Sequence, residues 1–456
     1  MIKRTLLAAA AACAIAVPAA AQDVTIANAT VATGDGSEPI ENGHVVVRGG
    51  RVVSVGAGAP AAGGTAIDAE GRWVTPGLFA TVTTLGLSDV GAVSESNDTQ
   101  ASDSPFSAAL DAAPAINPSS QHILVHRAAG VTRAASVTMP ASSIFGGQGA
   151  IIDLGADPQA VVRPRAFQVV ALGESGARLA GGSRTATHAL LRNALREATQ
   201  FGEDASIPGR AARPDDLRTG DDLPIDPRMA GDDAVRGDDV LLTRFDAAAL
   251  VPVVRGEQPL YVAVERASDI RSVLALRSEF PSLDLVLVGA SEGWLVAREI
   301  AASGVPVIAD GLDDLPENFE ELASTQSNIG RMVAAGVKVA INAAAMENPR
   351  NLNQYAGNLV ALSRVPGASG LSWGQAFAAI SSIPAEISGM AGRAGVLAPN
   401  AVGDLVIWDG DPLELGAMPV QVFIDGVEQP LDNHQSRLKE RYRDLDESTL
   451  PKAYDW

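Results

Sequence analysis

Runs of apolar and β-branched residues lie near both ends of the chain and alternate with small or polar positions. Residues 44–48 and 51–55 are two such runs, and the pair of glycines at 49–50 separates them. Two glycines between β-branched runs are typical of a tight hairpin, because both turn residues can adopt positive φ. Residues 404–408 and 420–424 follow a similar pattern. The pattern predicts β-structure at both ends of the chain.

Between these ends, short apolar runs alternate with stretches that have helical periodicity. The run Leu-Val-Leu-Val at 285–288 precedes a helical pattern over 294–300, and further apolar runs follow at 305–309 and 337–341. Repeated strand and helix patterns over about 300 residues favour a parallel barrel, whose catalytic groups lie at the C-terminal strand ends. The predicted fold class is therefore α/β, a TIM-type (β/α)8 barrel.

One segment interrupts this alternation. Residues 202–239 are rich in Asp, Arg, Pro and Gly, and they contain four Asp-Asp pairs. Because so few large apolar residues occur there, the segment can bury little, and it is predicted to be an acidic surface loop. The paired aspartates leave a calcium site as an alternative, although the glycine-centred spacing of a known calcium loop is absent.

The first residues have the pattern of a secretory signal peptide. Lys3 and Arg4 precede an apolar run at 5–17, and a small-residue cleavage site ends at Ala21. The pattern predicts export to the periplasm or secretion, with no membrane span. Cys13 would be the lipidated residue if the protein were a lipoprotein, but the alanines before it form a poor lipobox.

The composition narrows the range of partners. The chain is 46% hydrophobic and 19% charged, which is ordinary for a globular α/β protein. Its formal net charge of -20 repels phosphate backbones and anionic lipid headgroups, so nucleic acids and membrane surfaces are not expected partners.

Residues 71–87 carry a resemblance to a known family. They read Gly-Arg-Trp-Val-Thr-Pro-Gly-Leu-Phe-Ala-Thr-Val-Thr-Thr-Leu-Gly-Leu, which closely resembles the first barrel strand of the amidohydrolase superfamily. In that family a Pro-Gly-Leu-Ile-Asp turn leads into His-x-His, and the two imidazoles face the same way and hold a metal. In this chain Val82 and Thr84 stand at the histidine positions, and Ala80 stands at the aspartate position.

Further segments resemble the exported imidazolonepropionase-like and prolidase-like members of this superfamily. They lie at 129–132, 145–150, 246–270 and 403–413. The resemblance covers nearly the whole chain after the signal and implies a small composite β-sandwich formed by the N- and C-terminal segments. The predicted division is a signal peptide at 1–21, sandwich segments at 22–74 and 394–432, a barrel at 75–393 and a charged tail at 433–456. The tail is predicted to form a surface helix.

The resemblance also identifies the remaining metal-ligand positions. Glu265 stands at the histidine of the fifth strand, Gly289 at that of the sixth, and Ala344 at the aspartate that also serves the family as general base. Glu174 lies in a Gly-Glu-Ser-Gly segment that resembles the one carrying the family's bridging group. A catalytic zinc requires about three protein ligands and an open water position, so no cofactor is expected here. Zinc or another divalent metal is expected only if this interpretation is wrong.

These losses favour a pseudoenzyme, which would act as a binding protein or as a partner subunit. The resemblance suggests an amidohydrolase-like partner or a homodimer, and the barrel leaves room for a small-molecule or peptide ligand. The alternative is a hydrolase of amide or peptide bonds rebuilt around Glu265, Glu174 or Asp310, with Asn342 directed to the same mouth. A third hypothesis is that Glu265 has a structural role and forms an ion pair with an arginine such as Arg178.

The histidines offer a relocated metal site as a further alternative. His122 and His126 are four residues apart and share one face of a predicted helix. No glutamate follows the first histidine, as it does in zinc-protease helices. We expect this helix to lie away from the active face and both histidines to be structural. The chain contains five histidines and no His-x-His pair, which disfavours a misplaced alignment.

Overall fold

The structure is a computed structural model that describes residues 21–61, 63–204, 241–343 and 349–443. Residues 1–20 of the predicted signal peptide, most of the predicted acidic loop, and Ala344 lie outside the described residues. Export and the character of that loop therefore stay predictions.

The strands of the described residues, in chain order, are β1 (Val24–Val31), β2 (Ile40–Arg48), β3 (Arg51–Ala57), β4 (Thr65–Asp68), β5 (Trp73–Pro76), β6 (Leu78–Thr83), β7 (Val131–Ser136), β8 (Phe145–Asp153), β9 (Val161–Ala171), β10 (Leu260–Val264), β11 (Leu285–Gly289), β12 (Val307–Ala309), β13 (Val339–Ile341), β14 (Leu405–Trp408), β15 (Pro419–Ile424) and β16 (Val427–Glu428). The α-helices are α1 (Gln121–Ala128), α2 (Gly173–Leu179), α3 (Arg184–Asp204), α4 (Arg244–Val254), α5 (Ala267–Leu274), α6 (Ala297–Ser303), α7 (Asn328–Ala334), α8 (Leu352–Leu362), α9 (Trp373–Ala378), α10 (Ser382–Ile387) and α11 (His434–Tyr442).

Strands from the two chain ends form one sheet. Its order is β16-β15-β14-β5-β1-β2-β3, and β4 also pairs with β1. The two ends join where β14 runs antiparallel to β5. The predicted hairpin at 49–50 is present as the turn between β2 and β3, and both glycines have positive φ, of 52° and 76°. The β-structure predicted at both ends is thus confirmed, and the two ends share one core.

The strands β6 to β13 form the second sheet, a nearly closed barrel in sequential order. This confirms the predicted TIM-type class, with one departure from an all-parallel barrel: β8 runs antiparallel to both β7 and β9. Only residues 137–144 connect β7 to β8. A parallel crossover needs a dozen or more residues, so this short connection returns the chain as a hairpin.

The barrel is completed between β6 and β13 by the chain after α9. The backbone N–H of Phe79 donates to the carbonyl of Ile380 at 2.9 Å, and that of Ile341 donates to the carbonyl of Ala379 at 3.0 Å. These bonds satisfy edge groups that would otherwise be buried without a partner. The first and last barrel strands are therefore held through an intervening segment.

A buried ion pair connects the barrel to the terminal sheet. Arg133 on β7 donates to both carboxylate oxygens of Asp404 at 2.6 and 3.2 Å, and to Asp425 at 2.8 Å. The side chains of Arg133 and Asp404 are 3% and 2% exposed. Such a two-pronged contact fixes orientation as well as distance, so it sets how the two sheets meet.

The chain after residue 432 begins with α11, whose N-terminus is capped by Asn433. The helix predicted for the tail is therefore present as far as the chain is described. In the described ranges, no helix is both long and apolar enough to cross a bilayer.

Candidate functional site

A cavity of about 250 Å³ opens at the C-terminal ends of the barrel strands. Most of its wall is aliphatic, and its polar side chains are those of Glu265, Ser175 and Asn342. The other lining residues are Val82, Val137, Met139, Pro140, Val169, Ala171, Leu179, Ala263, Val288 and Gly289. An apolar cavity with a few polar groups is the usual form of a small-molecule site.

Val82 stands at the end of β6, at the position where the resemblance implies an imidazole. Its side chain is buried and forms part of the cavity wall. Its φ is 48°, a left-handed conformation that is a genuine outlier for a β-branched residue. Backbone strain of this kind persists only where the surroundings enforce it. Thr84 is half-buried and lines a neighbouring cavity.

Glu265 and Gly289 meet across two adjacent strands. Glu265 directly follows β10, and Gly289 ends β11, whose parallel register places Val264 opposite Gly289. A Cβ on residue 289 would lie 2.5 Å from the carboxyl carbon of Glu265 and 2.6 Å from its Oε2. The Glu265 carboxyl therefore occupies the space that a side chain at position 289 would need.

The Glu265 carboxyl is anchored through one oxygen. Its Oε2 accepts hydrogen bonds from the backbone N–H of Ser291 at 2.9 Å and from the Ser291 hydroxyl at 2.8 Å. Burial raises the pKa of Glu265 to about 8, and the nearby Asp310 carboxyl adds to the rise, while the Ser291 bonds oppose it. Glu265 forms no arginine ion pair in the described part of the chain, so the expected pairing with Arg178 is wrong.

Asp310 and Asn342 join Glu265 at this end of the barrel. Asp310 follows β12, and its Oδ1 accepts a hydrogen bond from the Asn342 side-chain amide at 2.5 Å. Burial raises the pKa of Asp310 to about 7; the Asn342 bond lowers it, and the Asp313, Glu321 and Glu317 carboxyls raise it further. Asn342 lines the cavity and Asp310 does not, so the amide lies between that carboxyl and the open space.

Glu174, the third candidate, belongs to a different cluster. Its carboxylate lies 3.3 Å from Arg184, which also contacts Glu320 at 3.0 Å and Asp269 at 3.3 Å. The backbone N–H of Glu174 donates to Glu320 at 2.8 Å. Ser175 lines the barrel cavity, whereas Glu174 does not. The structure thus brings Glu265 and Asp310 together and leaves Glu174 in an arginine-centred ion-pair network.

The donor set at the mouth does not fit a tightly held transition metal. Of the family ligand positions that are described, Val82 and Gly289 offer no donor atom, and Thr84 offers a neutral hydroxyl. Glu265 has one oxygen committed to Ser291. No group of three or more His, Cys, Asp or Glu side chains that could hold a metal ion occurs in the described residues. Zinc sites take imidazole, thiolate or carboxylate ligands, about three or four together.

The histidine pair lies beside the same mouth, which corrects the placement expected from sequence. His122 and His126 lie on α1, as predicted, but both line a second cavity of about 380 Å³ together with Thr84 and Val82. The last turn of α1 lies near the start of β7, at the N-terminal end of the barrel strands. The first turn of α1 therefore lies at the other end of the strands, where the mouth is. The Ser120 hydroxyl there bonds to the Ser88 carbonyl, in the loop after β6, at 2.7 Å.

His126 is buried in a neutral form. Its Nδ1 lies 2.6 Å from the His122 carbonyl oxygen, so Nδ1 carries the proton and Nε2 bears a lone pair. Burial lowers the pKa of His126 to about 4. In the described chain, Nε2 has no hydrogen-bond partner.

Sequence reasoning missed Ser291, the residue that anchors Glu265. Its only local signal is a hydroxyl two positions after the last strand residue, Gly289, and serines are common in loops. Its partner lies 26 positions earlier, and only the pairing of β10 with β11 brings the two together.

Comparisons with known proteins agree with this architecture. The amidohydrolase family profile matches residues 283–432. Amidohydrolase tasK of Hapsidospora irregularis is 27% identical over 387 residues, which make up 79% of this chain and 37% of that protein. The solved amidohydrolase of Thermotoga maritima MSB8 superposes with a TM-score of 0.72 at 21% identity, covering 89% of this chain and 99% of its own. Residues 283–432 of this chain are thus similar to the amidohydrolase family, and the fold is similar to that of a solved amidohydrolase.

This chain spans little more than a third of the length of its curated relative tasK. A solved molinate hydrolase has a TM-score of 0.52 at 15% identity, covering 90% of this chain and 95% of its own. At such identities the structural matches establish the fold alone.

Proposed function

We propose that this protein is a catalytically inactive homologue of the amidohydrolases, with a barrel mouth that binds a small ligand. The observation that carries the proposal is the position of the Glu265 carboxyl, which fills the space beside Gly289 where the resemblance implies a ligating imidazole. Any side chain at position 289 would have to displace Glu265. The two positions therefore depart from the family pattern together.

The surrounding cavity supports binding rather than metal-assisted hydrolysis. Val82 and Val288 present hydrocarbon to the interior, and the polar groups are few and fixed. A metal-bound water needs a ligand set that these side chains do not supply. An apolar wall with one anchored carboxyl is suited to holding a compact ligand in one orientation.

The test combines metal analysis with an activity screen. The purified protein, incubated with zinc and then desalted, is expected to retain less than stoichiometric zinc and to leave N-acyl amino acids and dipeptides unhydrolysed. One zinc per chain together with chelator-sensitive turnover would contradict the proposal. A His122→Ala/His126→Ala variant serves as the matched control, because it distinguishes zinc held by α1 from zinc held in the barrel.

A second candidate function follows from the carboxyl pair. With pKa values of about 8 and about 7, Glu265 and Asp310 can be in opposite protonation states near neutral pH, as in acid–base pairs. Glu265, the one of the two that lines the cavity, would take a proton from the attacking water and give it to the departing amine nitrogen, while the charge of Asp310 tunes the Glu265 pKa. Metal-independent hydrolysis with a bell-shaped pH profile, abolished in Glu265→Gln, would favour this function over the binding role.

Export is part of the same proposal and has its own test. We propose that the mature protein begins at Gln22, because the residues before it have the pattern of a cleaved signal. Expression of the full chain in a bacterial host, followed by N-terminal sequencing of the periplasmic fraction, is expected to give Gln22 first. Recovery of the uncut chain from the cytoplasm would contradict export.

A further inference from the structure

Among the described residues, one ionisable side chain lines the barrel-mouth cavity, and that side chain is acidic. Glu265 lines the cavity, and no lysine, arginine or histidine does so among the residues described. The remaining polar groups, from Ser175 and Asn342, are neutral. An occupant therefore meets hydrocarbon on most sides and one carboxyl on the other.

One oxygen of that carboxyl is available to an occupant. Ser291 supplies two hydrogen bonds, and both go to Oε2 of Glu265. Within the described ranges, Oε1 has no hydrogen-bond partner, and it is not among the side-chain atoms sealed from solvent. The carboxyl is thus held in one orientation while half of its accepting capacity stays open.

The segment after β12 adds negative charge to the same end of the barrel. Asp310, Asp313, Glu317 and Glu321 all lie in it, and none of them forms an ion pair with a lysine or arginine in the described part of the chain. Their Coulombic effect reaches the mouth, since Asp310 and Glu321 both act on Glu265. Clefts lined by one sign of charge concentrate ligands of the opposite sign.

We infer that the occupant is a small organic cation, an ammonium group carried on a compact apolar body. The ammonium would donate to the open Oε1 of Glu265, and the body would pack against the aliphatic wall formed by Val82, Val137 and Val288. A charge-assisted hydrogen bond in a mostly apolar cavity is among the stronger polar contacts. The inference rests on the proposed binding function and names the ligand class for that same site.

Three probes that share one ring test the inference on the unaltered protein: benzylamine, which is protonated at pH 8, neutral benzyl alcohol, and anionic benzoate. Calorimetric titration is expected to rank their affinities in that order, with benzylamine at least about tenfold tighter than benzyl alcohol. Benzyl alcohol or benzoate binding as tightly as benzylamine would overturn the inference. Failure of all three to bind at their solubility limits would overturn it too.

The pH dependence and one variant locate the contact. The groups that face Glu265 are Asp310, Glu321 and the neutral Ser291. The cation is expected to bind the ionised form of Glu265. Benzylamine should therefore bind about tenfold or more weakly at pH 6.5 than at pH 8.5. Glu265→Gln is expected to remove both the preference for the cation and its pH dependence. Glu299→Gln, at an exposed ion pair with Arg271, is the matched control and should leave both unchanged.

Two further outcomes separate this inference from the proposed function. Metal-dependent turnover would contradict the inactive-homologue proposal, whereas the ranking of the three probes would still report the charge preference of the mouth. Displacement of benzylamine by equimolar magnesium or calcium would assign the carboxyl to an inorganic cation and overturn the organic one.

Discussion

The carboxyl of Glu265 lies over the α-carbon of Gly289, where it takes the place of a side chain that glycine does not have. Gly289 has a φ of 88°, a conformation that costs other residues about 1–2 kcal/mol. The glycine thus serves two purposes, because it tolerates the backbone turn at the end of β11 and leaves room for the carboxyl. The Glu265 side chain therefore limits which residue position 289 can hold, and Gly289 is what allows the carboxyl to lie there.

Gly289→Ala is expected to lower the free energy of unfolding by about 2–4 kcal/mol, because strain and overpacking add. Urea denaturation measures the loss. In a Glu265→Ala background, Gly289→Ala should lower the free energy of unfolding only by the cost of backbone strain, because the carboxyl no longer occupies the space. Equal costs in both backgrounds would show that the carboxyl does not occupy the position described.

Glu265 should make the protein less stable at alkaline pH. Its folded pKa of about 8 lies above the ordinary value of 4.5, so between these values the folded state holds a proton that the unfolded chain releases. Stability therefore falls as pH rises through this window, by up to about 5 kcal/mol. Glu265→Gln should flatten the curve. A parallel curve for the variant would contradict the raised pKa.

His126 should change stability in the opposite direction, over a pH range that overlaps that of Glu265. Its folded pKa of about 4 lies below 6.5, so the unfolded chain binds the proton first, and stability is lost as pH falls from 6.5 towards 4. NMR of the labelled ring should show Nδ1 protonated and no titration above pH 5. An imidazolium signal at pH 6 would be incompatible with a neutral buried ring.

Removing one partner of the Arg133–Asp404 pair should lower the free energy of unfolding strongly. Asp404→Ala would leave the Arg133 charge buried with the partly exposed Asp425 and the cross-strand Asp153 nearby, and a loss of about 3–5 kcal/mol is expected. Replacing both residues, as in Arg133→Met/Asp404→Leu, should recover much of that loss, since no lone charge remains. Thermal unfolding of the single and double variants measures the difference. Equal losses in both would contradict this account of the pair.

The predictions from sequence succeeded where the signal is local. Strand periodicity and the glycines at 49–50 predicted the terminal β-structure, because side-chain alternation and turn chemistry act within a few residues. The antiparallel course of β8 was missed because its signal is the shortness of a connection, and that can be judged only once both flanking strands are known.

The residues at the candidate site divide in the same way. The sequence by itself determined the residue types, so it was clear that Val82, Thr84 and Gly289 could not supply imidazoles. Only the tertiary structure decided that Glu265 fills the space beside Gly289, that Ser291 anchors it, and that Glu174 is held elsewhere by Arg184. The physical reason is that these contacts join residues far apart in the chain, and the pairing of barrel strands and the packing around them set those distances.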